Sequence, residues 1–378
     1  MILKTLFSSE KIGDIEIKNR LIRSATFTRT ATDDGYITDQ LIKYYIALAE
    51  GGVGLIVTGI TSVDHVGKAN RGQVCLLNDS YIEGHKNLVN AIHDISNVKI
   101  AIQFSHAGRQ GRNPVAPSAI LYQVNKKMPK ELANKEIKDI INSFISAGCR
   151  AYESGYDLIE LNAGHGWLLC NFLSPLTNKR IDEFGGSIAN RTRVLVDIYN
   201  GITDEVGKKF PVMIRLQTKD FIEGGLSLDE GVEIAKILVD TGYAAITPSG
   251  GSGDTLLSPG RNYPSLVIKS QEDENYFLPN VKKLNPIMDN CKSILMGGIR
   301  NPLKAEELLN EKITDFIAIG RPLICEPDLP NRWQSGDLTP PLCNSCNSCY
   351  MSVLSGPVKC IIKRKLIRQR EKDLKSQQ

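Results

Sequence analysis

The sequence predicts an α/β fold, a (β/α)8 TIM barrel with an N-terminal hairpin and a short C-terminal cysteine-cluster segment. Three observations carry that prediction. Eight short, β-branched apolar runs recur along the chain, each followed by a polar or glycine-bearing stretch and then, in most cases, an amphipathic helical pattern. Together they occupy roughly 300 residues, which is the size and period of such a barrel. No run leads into a G-x-G-x-x-G turn that opens a helix, and this weighs against a doubly wound sheet, the main rival.

In chain order, "IGDIEIKN" alternates apolar and polar residues as a hairpin does and is placed to plug the bottom of the barrel. The strands follow as "LIRSATF", "VGLIVTG", "KIAIQFS", "DLIELNA", "PVMIRLQ", "AAITPSG", "SILMGG" and "FIAIGR". Between them "DQLIKYYIALAEGG", "IEGHKNLVNAIHDI", "KEIKDIINSFISAGCRAYESG", "NRTRVLVDIYNGITDEV", "LDEGVEIAKILVDTG" and "KAEELLNEK" repeat apolar residues near i, i+3, i+4 and i+7. Gly51, Gly155 and Gly242 read as C-cap glycines. Two connections are long, from about Gly108 to Pro129 and from about Gly250 to Pro279, and on a barrel such loops form the rim of a site. Residues 1–335 are read as the barrel and 336–378 as the cysteine segment with a basic tail.

Composition narrows the function classes. At 42% hydrophobic and 23% charged the chain is that of an ordinary globular protein. Its net charge of +4 comes from the tail, where Lys359 to Lys375 holds a surplus of six positive charges; the remainder, at −2, has no global basic footprint for nucleic acid. The tail reads as a solvated basic helix, with a partner surface as the sharper alternative. "MILKTLFSSEKIGD" has no long apolar h-region, and no stretch approaches the ~18 apolar residues of a membrane span. A cytoplasmic protein is expected. Its 9 cysteines over 378 residues are too sparse for a secreted disulfide scaffold, so the thiols are reduced and free to bind metal.

Catalytic groups of such a barrel lie at the C-terminal ends of its strands. Here those ends are polar: Ser24, Ala25 and Thr26; Gly59; Gln103 and His106; Asn162 and His165; Arg215; Ser249 and Gly250; Gly297 and Gly298; Gly320 and Arg321. The last two strands end in glycines whose bare amides can approach an anion, and Arg321 can add a charge-assisted bond, so they read as a phosphate corner. Gln103 can pair with a heterocycle edge and Arg215 can neutralise charge on such a ring. Phosphate with a redox-active heteroaromatic ring points to FMN.

The blocks "NRLIRSAT", "VGLIVTG", "IQFSHAGR", "ELNAGHGWLLCNFLSP", "RIDEFGGSIANR", "MIRL", "GGI" and "IGRP", from about residue 6 to residue 335, resemble the successive signatures of the old yellow enzyme family of FMN-dependent oxidoreductases. The resemblance implies FMN at the barrel mouth and reduction of an activated C=C bond. By motif position Ala25, Thr26, Gly59, Gln103, Arg215, Gly298, Gly320 and Arg321 would contact the flavin, and Asn162 with His165 fits the pair that grips the substrate carbonyl. A subgroup similar to 2,4-dienoyl-CoA reductase and trimethylamine dehydrogenase carries a [4Fe-4S] cluster directly after the barrel, where Cys343, Cys346, Cys349 and Cys360 fall. C-x2-C-x2-C with one distant partner is also, by itself, an iron–sulfur spacing; a structural zinc site with four cysteine ligands stays open. Cys75, Cys149, Cys291 and Cys325 read as small core or surface residues, and His65, His85 and His93 as non-catalytic.

Two departures matter. Those larger relatives continue into flavodoxin-like and nucleotide-binding domains, whereas this chain stops at Gln378, so either NADH or NADPH docks on FMN directly or electrons pass through the cluster to a separate electron-transfer protein. Trp167 stands where the family commonly has the tyrosine that protonates substrate carbon, and indole N–H does not ionise usefully. The acid is then another residue, with Tyr263 and Cys170 as candidates, a water, or absent, and Arg29 is either a contact for an acidic substrate or part of a surface ion pair. The leading expectation is an ene-reductase acting on a small-molecule α,β-unsaturated carbonyl compound. Its rivals are an amine-type dehydrogenase exporting electrons through the cluster and a non-catalytic electron-transfer subunit. Homo-oligomerisation is left open.

Overall fold

The computed structural model describes residues 2–376 apart from residue 96 and residues 258–264. A hairpin of β1 (Glu10–Ile12) and β2 (Ile15–Ile17) precedes the barrel strands β3 (Leu21–Arg23), β4 (Leu55–Ser62), β5 (Lys99–Ser105), β6 (Leu158–Ala163), β7 (Val212–Lys219), β8 (Ala245–Gly250), β9 (Lys292–Met296) and β10 (Phe316–Ile319). Each barrel strand is parallel to its neighbours, and β3 pairs with both β10 and β4, which closes the ring. A two-residue strand, Val74–Cys75, hangs on the end of β4. All eight runs read from the sequence are strands, because each is short, apolar and flanked by breakers.

The helices are α1 (Asp39–Glu50), α2 (Ile82–His93), α3 (Asn134–Glu153), α4 (Leu168–Leu173), α5 (Ile188–Val206), α6 (Leu228–Thr241), α7 (Leu278–Leu284), α8 (Pro302–Asn310), α9 (Arg321–Cys325), α10 (Leu329–Gln334), α11 (Ser348–Ser352) and α12 (Ile361–Ser376). In α6 the Ser227 hydroxyl and the Glu230 carboxylate cap each other's backbone N–H, and Gly242 at φ +115 ends the helix. Gly155 (φ +84) follows the end of α3 in the expected left-handed conformation, but at the end of α1 that role falls to Gly52 (φ +96), Gly51 being right-handed at φ −70. The seven-residue α7 escaped the sequence reading because it is too short to show a period.

Two cores result. One lies between the strands and the surrounding helices; the other fills the barrel with Leu55, Val57, Ala101, Leu158, Met213, Ala245, Ile294 and Phe316. Ile12 and Ile17 of the hairpin are fully buried in the inner cluster, so the hairpin plugs the barrel bottom as expected. Burial of each stabilises the fold by about 1.5–3 kcal/mol. Strand alternation then dictates what lies above. Two residues beyond Ala101 comes Gln103, beyond Leu158 come Glu160 and Asn162, and beyond Met213 come Arg215 and Gln217, so the inward face turns from apolar to polar toward the strand ends.

The buried polar pair His85 and Tyr156 ties α2 to the segment before β6: Nδ1 lies 2.7 Å from the Tyr156 hydroxyl and Nε2 3.1 Å from the Cys75 carbonyl. The carbonyl can only accept, so Nε2 carries a proton, and burial keeps the ring neutral at pH 7. Burial pushes His85 down to about 4, whereas in the unfolded chain it titrates near ~6.5. The unfolded state therefore binds a proton that the folded state refuses, and this histidine makes stability fall as pH drops from about 6.5 to about 4. Thermal unfolding at pH 7.5 and pH 5 should show a smaller loss in His85→Gln than in wild type.

Candidate active site

The polar ends of the strands open into a cavity of about 540 Å³. Its floor is organised by Glu160, which is 1% exposed between Ile159 and Leu161 of β6. This carboxylate accepts from Gln103 Nε2 at 2.5 Å and lies 3.4 Å from Arg215 Nη2, which also donates to Ser24 Oγ at 3.0 Å. Register places Gln103 opposite Glu160 and Arg215 opposite Asn162 on adjacent strands. Without Glu160 a buried guanidinium would lack its counter-ion, a cost of about 3–5 kcal/mol when one partner of such a pair is removed.

Asn162 and His165 line the same cavity. His165 and Gly166 both adopt positive φ, 58° and 82°, turning the chain sharply between β6 and α4. Gln110 Nε2 braces the turn by donating to the His165 carbonyl at 3.1 Å. The residue is half-buried with its Nε2 shielded from solvent, and among the described residues that atom has no hydrogen-bond partner. Burial, then the nearby Arg215 guanidinium, push its pKa down to about 3, so it is neutral at physiological pH. A neutral ring and the Asn162 amide both line this cavity, and each can offer an N–H to a ligand there.

Gly297 (φ +107), Gly298 (φ +78) and Gly320 line the side of the cavity at the ends of β9 and β10. A Cβ at Gly298 would come within 2.8 Å of Ile268 and 3.1 Å of Tyr276, while one at Gly320 would meet nothing within 4 Å, so the backbone there faces open space. Arg321 follows, with Nη1 donating to the Leu266 carbonyl at 2.7 Å and to Asn347 Oδ1 at 2.6 Å. Ala25, Thr26, Gln103, Arg215 and Trp167 also line the cavity. Polar strand ends below and a glycine cradle at one side suit a flavin ring and its phosphate.

Beyond the barrel the chain folds back over this mouth. Val358 N–H donates to the Thr28 carbonyl at 2.8 Å, and Tyr350, Val353, Leu354 and Val358 form one wall of the cavity. A second, small pocket is lined by Cys343, Cys346, Cys349 and Cys360 together. Arg321, Ile324 and Cys349 line both. A fifth thiol, Cys325, is within hydrogen-bonding reach of Cys360 and neighbours Cys343, which its reading as a simple core residue did not anticipate. Among the described residues no three His, Cys, Asp or Glu side chains are drawn to the mutual spacing of a single ion.

Several candidates lie elsewhere. Gly59 does not line the cavity; its N–H donates to the Tyr45 hydroxyl at 2.7 Å, and a Cβ would come within 2.6 Å of the Thr26 carbonyl, so the glycine serves close backbone approach. Arg29 is likewise off the cavity, with Nη1 donating to the Val353 carbonyl at 2.7 Å and so holding the C-terminal wall. Cys170 is tied to the backbone, Sγ accepting from Gly166 N–H and donating to the Trp167 carbonyl, each at 3.1 Å. His106 is buried away from the mouth with Nε2 3.3 Å from Asp64. Tyr263 lies outside the described residues. Glu160, Tyr122 and the C-terminal wall were not identified from sequence; only Glu160 left a signal, a lone carboxylate inside an apolar run.

Comparison with known proteins agrees with this architecture. The family described as NADH:flavin oxidoreductase / NADH oxidase matches residues 5–339. An NADH oxidase of Thermoanaerobacter brockii is 37% identical over 361 residues, 93% of this chain and 54% of that protein. An NADPH dehydrogenase of Listeria welshimeri is 33% identical over 329 residues, covering 86% of this chain and 93% of that protein. Among solved structures, 2-naphthoyl-CoA reductase in complex with 2-naphthoyl-CoA superposes with a TM-score of 0.88 at 27% identity, over 96% of this chain and 57% of that one. The chain thus spans about half the length of the first and the last of these. Among the described residues no helix is long and apolar enough to cross a membrane.

Proposed function

The chain belongs to the NADH:flavin oxidoreductase / NADH oxidase family, and from that premise we propose that it is an FMN-dependent NAD(P)H oxidoreductase that reduces the activated C=C bond of an α,β-unsaturated carbonyl compound. The observation that carries this reading is the neutral His165 with a shielded, unpartnered Nε2, lining with Asn162 the cavity that the glycine cradle also lines. FMN, when bound, supplies a two-electron store that NADH or NADPH can refill.

The chain's own residues do the rest. Asn162 and His165 hydrogen-bond the carbonyl oxygen and stabilise the negative charge that grows there as the β-carbon is reduced. Being neutral, His165 holds the oxygen by a hydrogen bond without surrendering a full proton. Glu160 fixes Gln103 and Arg215 against the ring that the floor would hold. Phe27, Val353, Leu354 and Val358 line the cavity with apolar surface that displaces water. The structural relative's 2-naphthoyl-CoA is a conjugated thioester carbonyl, a group that such a donor pair suits.

For the cysteine pocket we propose a [4Fe-4S] cluster. Four thiols set around a small void suit the corners of a cube, whereas zinc would gather four sulfurs at about 2.3 Å from one point. The shared lining by Arg321, Ile324 and Cys349 supports electron exchange between the two sites. With FMN and NADH or NADPH, the purified chain should convert a simple enone to the saturated ketone, one nicotinamide oxidised per bond reduced. Nicotinamide oxidation with no conversion of any α,β-unsaturated carbonyl would overturn the ene-reductase reading.

A further inference from the structure

Reduction of a C=C bond needs a proton as well as a hydride, and Trp167 cannot donate one usefully. On the ene-reductase reading, we propose that Tyr122 is the catalytic acid, its hydroxyl delivering the proton to the α-carbon of the substrate. Tyr122 lies in the long loop after β5, is 5% exposed, and lines the cavity with Asn162, His165 and Trp167. Its hydroxyl occupies space that exists only because residue 253 is glycine: a Cβ there would fall 1.8 Å from the phenol oxygen. Gly253 in turn packs on the turn that carries the carbonyl grip, its N–H nitrogen 3.8 Å from where a Cβ on Gly166 would stand. The phenol is thereby held against Gly253, a position with no room for a side chain, in the cavity that His165 also lines.

The ring is held from its other side. The Arg109 guanidinium lies 4.8 Å from the ring centroid, is paired with Asp254 at 3.1 Å, and donates to the neighbouring Leu121 carbonyl at 3.2 Å. A cation on that face favours the phenolate left after transfer. Burial, then the Asp254 carboxylate, raise the pKa of Tyr122, which keeps its proton in place until a stronger base appears. An enolate carbon is such a base. Rival donors are poorer: the Cys170 thiol is bound to the backbone, Tyr276 packs against Gly297 and Gly298 at the far corner, and Tyr350 is 52% exposed to water.

In balance, one proton and two electrons arrive together as hydride at the β-carbon, the C=C π pair forms the new α C–H bond with the phenol's proton, and the O–H bond breaks. Water then restores the proton to the phenolate, and the two electrons come from NADH or NADPH.

Tyr122→Phe keeps the ring and its cation contact. It should bind FMN and a saturated ketone within about twofold of wild type yet slow single-turnover enone reduction about 100-fold, within the range of general acid catalysis. In D2O, wild type should place deuterium on one face of the α-carbon, and the variant should lose that facial preference as solvent takes over protonation. Gly253→Ala, which crowds the hydroxyl without removing it, should lower the same preference. Wild-type rate and facial preference in Tyr122→Phe, or undiminished preference in Gly253→Ala, would overturn the assignment of Tyr122 alone. A wild-type protein that binds FMN but reduces no enone would overturn the ene-reductase reading and this one with it.

Discussion

Replacing His165 with alanine is expected to slow enone reduction on the order of a hundredfold or more, because one preorganised donor at a developing oxyanion is worth roughly 2.7–4 kcal/mol. The loss should fall on kcat, since the hydrogen bond strengthens as charge reaches the oxygen and matters less in the ground state. FMN should be retained. His165→Asn keeps a neutral N–H donor on a shorter side chain and should recover part of the rate. Because burial and Arg215 hold the imidazole neutral down to about 3, the wild-type rate between pH 5 and 8 should show no step from this group. Stopped-flow reduction of an enone by the pre-reduced protein measures all of this, and an unchanged rate in His165→Ala would remove the carbonyl-gripping role.

Cys346→Ala is expected to abolish iron and sulfide binding and with it every reaction that needs a one-electron carrier. From the sequence, loss of the cluster would loosen the chain from about Pro341 onward while the barrel still binds FMN, whose contacts lie upstream. The structure adds a consequence. Tyr350, Val353, Leu354 and Val358 wall the cavity, and Arg29, Arg300 and Arg321 are anchored on Val353, Cys343 and Asn347 of the chain beyond Pro341. The variant should therefore bind FMN through the strand ends and the glycine cradle but take up its enone more weakly, raising KM while direct transfer from nicotinamide persists. Metal and sulfide analysis, limited proteolysis near residue 341, and parallel assays with an enone and with a one-electron acceptor would separate the effects. Zinc in place of iron, or full one-electron activity in the variant, would leave a structural clamp in place of an electron wire.

The barrel was legible because its signal is periodic. Eight apolar runs and the capped helices between them state their own boundaries, and the polar residues at the run ends fall where a barrel puts its chemistry. Individual roles at those ends were less legible. Gly59 and Gly320 look alike in sequence, each a glycine at a strand end, yet one permits contact with the Thr26 carbonyl and the other opens on the cavity. Glu160 was hidden inside "DLIELNA", since its role depends on facing Gln103 and Arg215 across neighbouring strands. Tyr122 and the C-terminal wall could not be read at all: loop residues have no period, and what they approach is decided by tertiary packing. The spacing of the four cysteines identified them as a set, while the sharing of one lining by their pocket and the main cavity came only from the fold.

The barrel mouth is proposed to hold FMN and to pass its electrons to a carbonyl-activated C=C bond. Anaerobic titration tests it most directly. One equivalent of NADH or NADPH should bleach the flavin absorbance of the FMN-loaded protein, and subsequent addition of an enone should restore the absorbance while yielding the saturated ketone in equal amount. A flavin that bleaches and is then reoxidised by no α,β-unsaturated carbonyl compound, or a protein that retains no FMN, would contradict it.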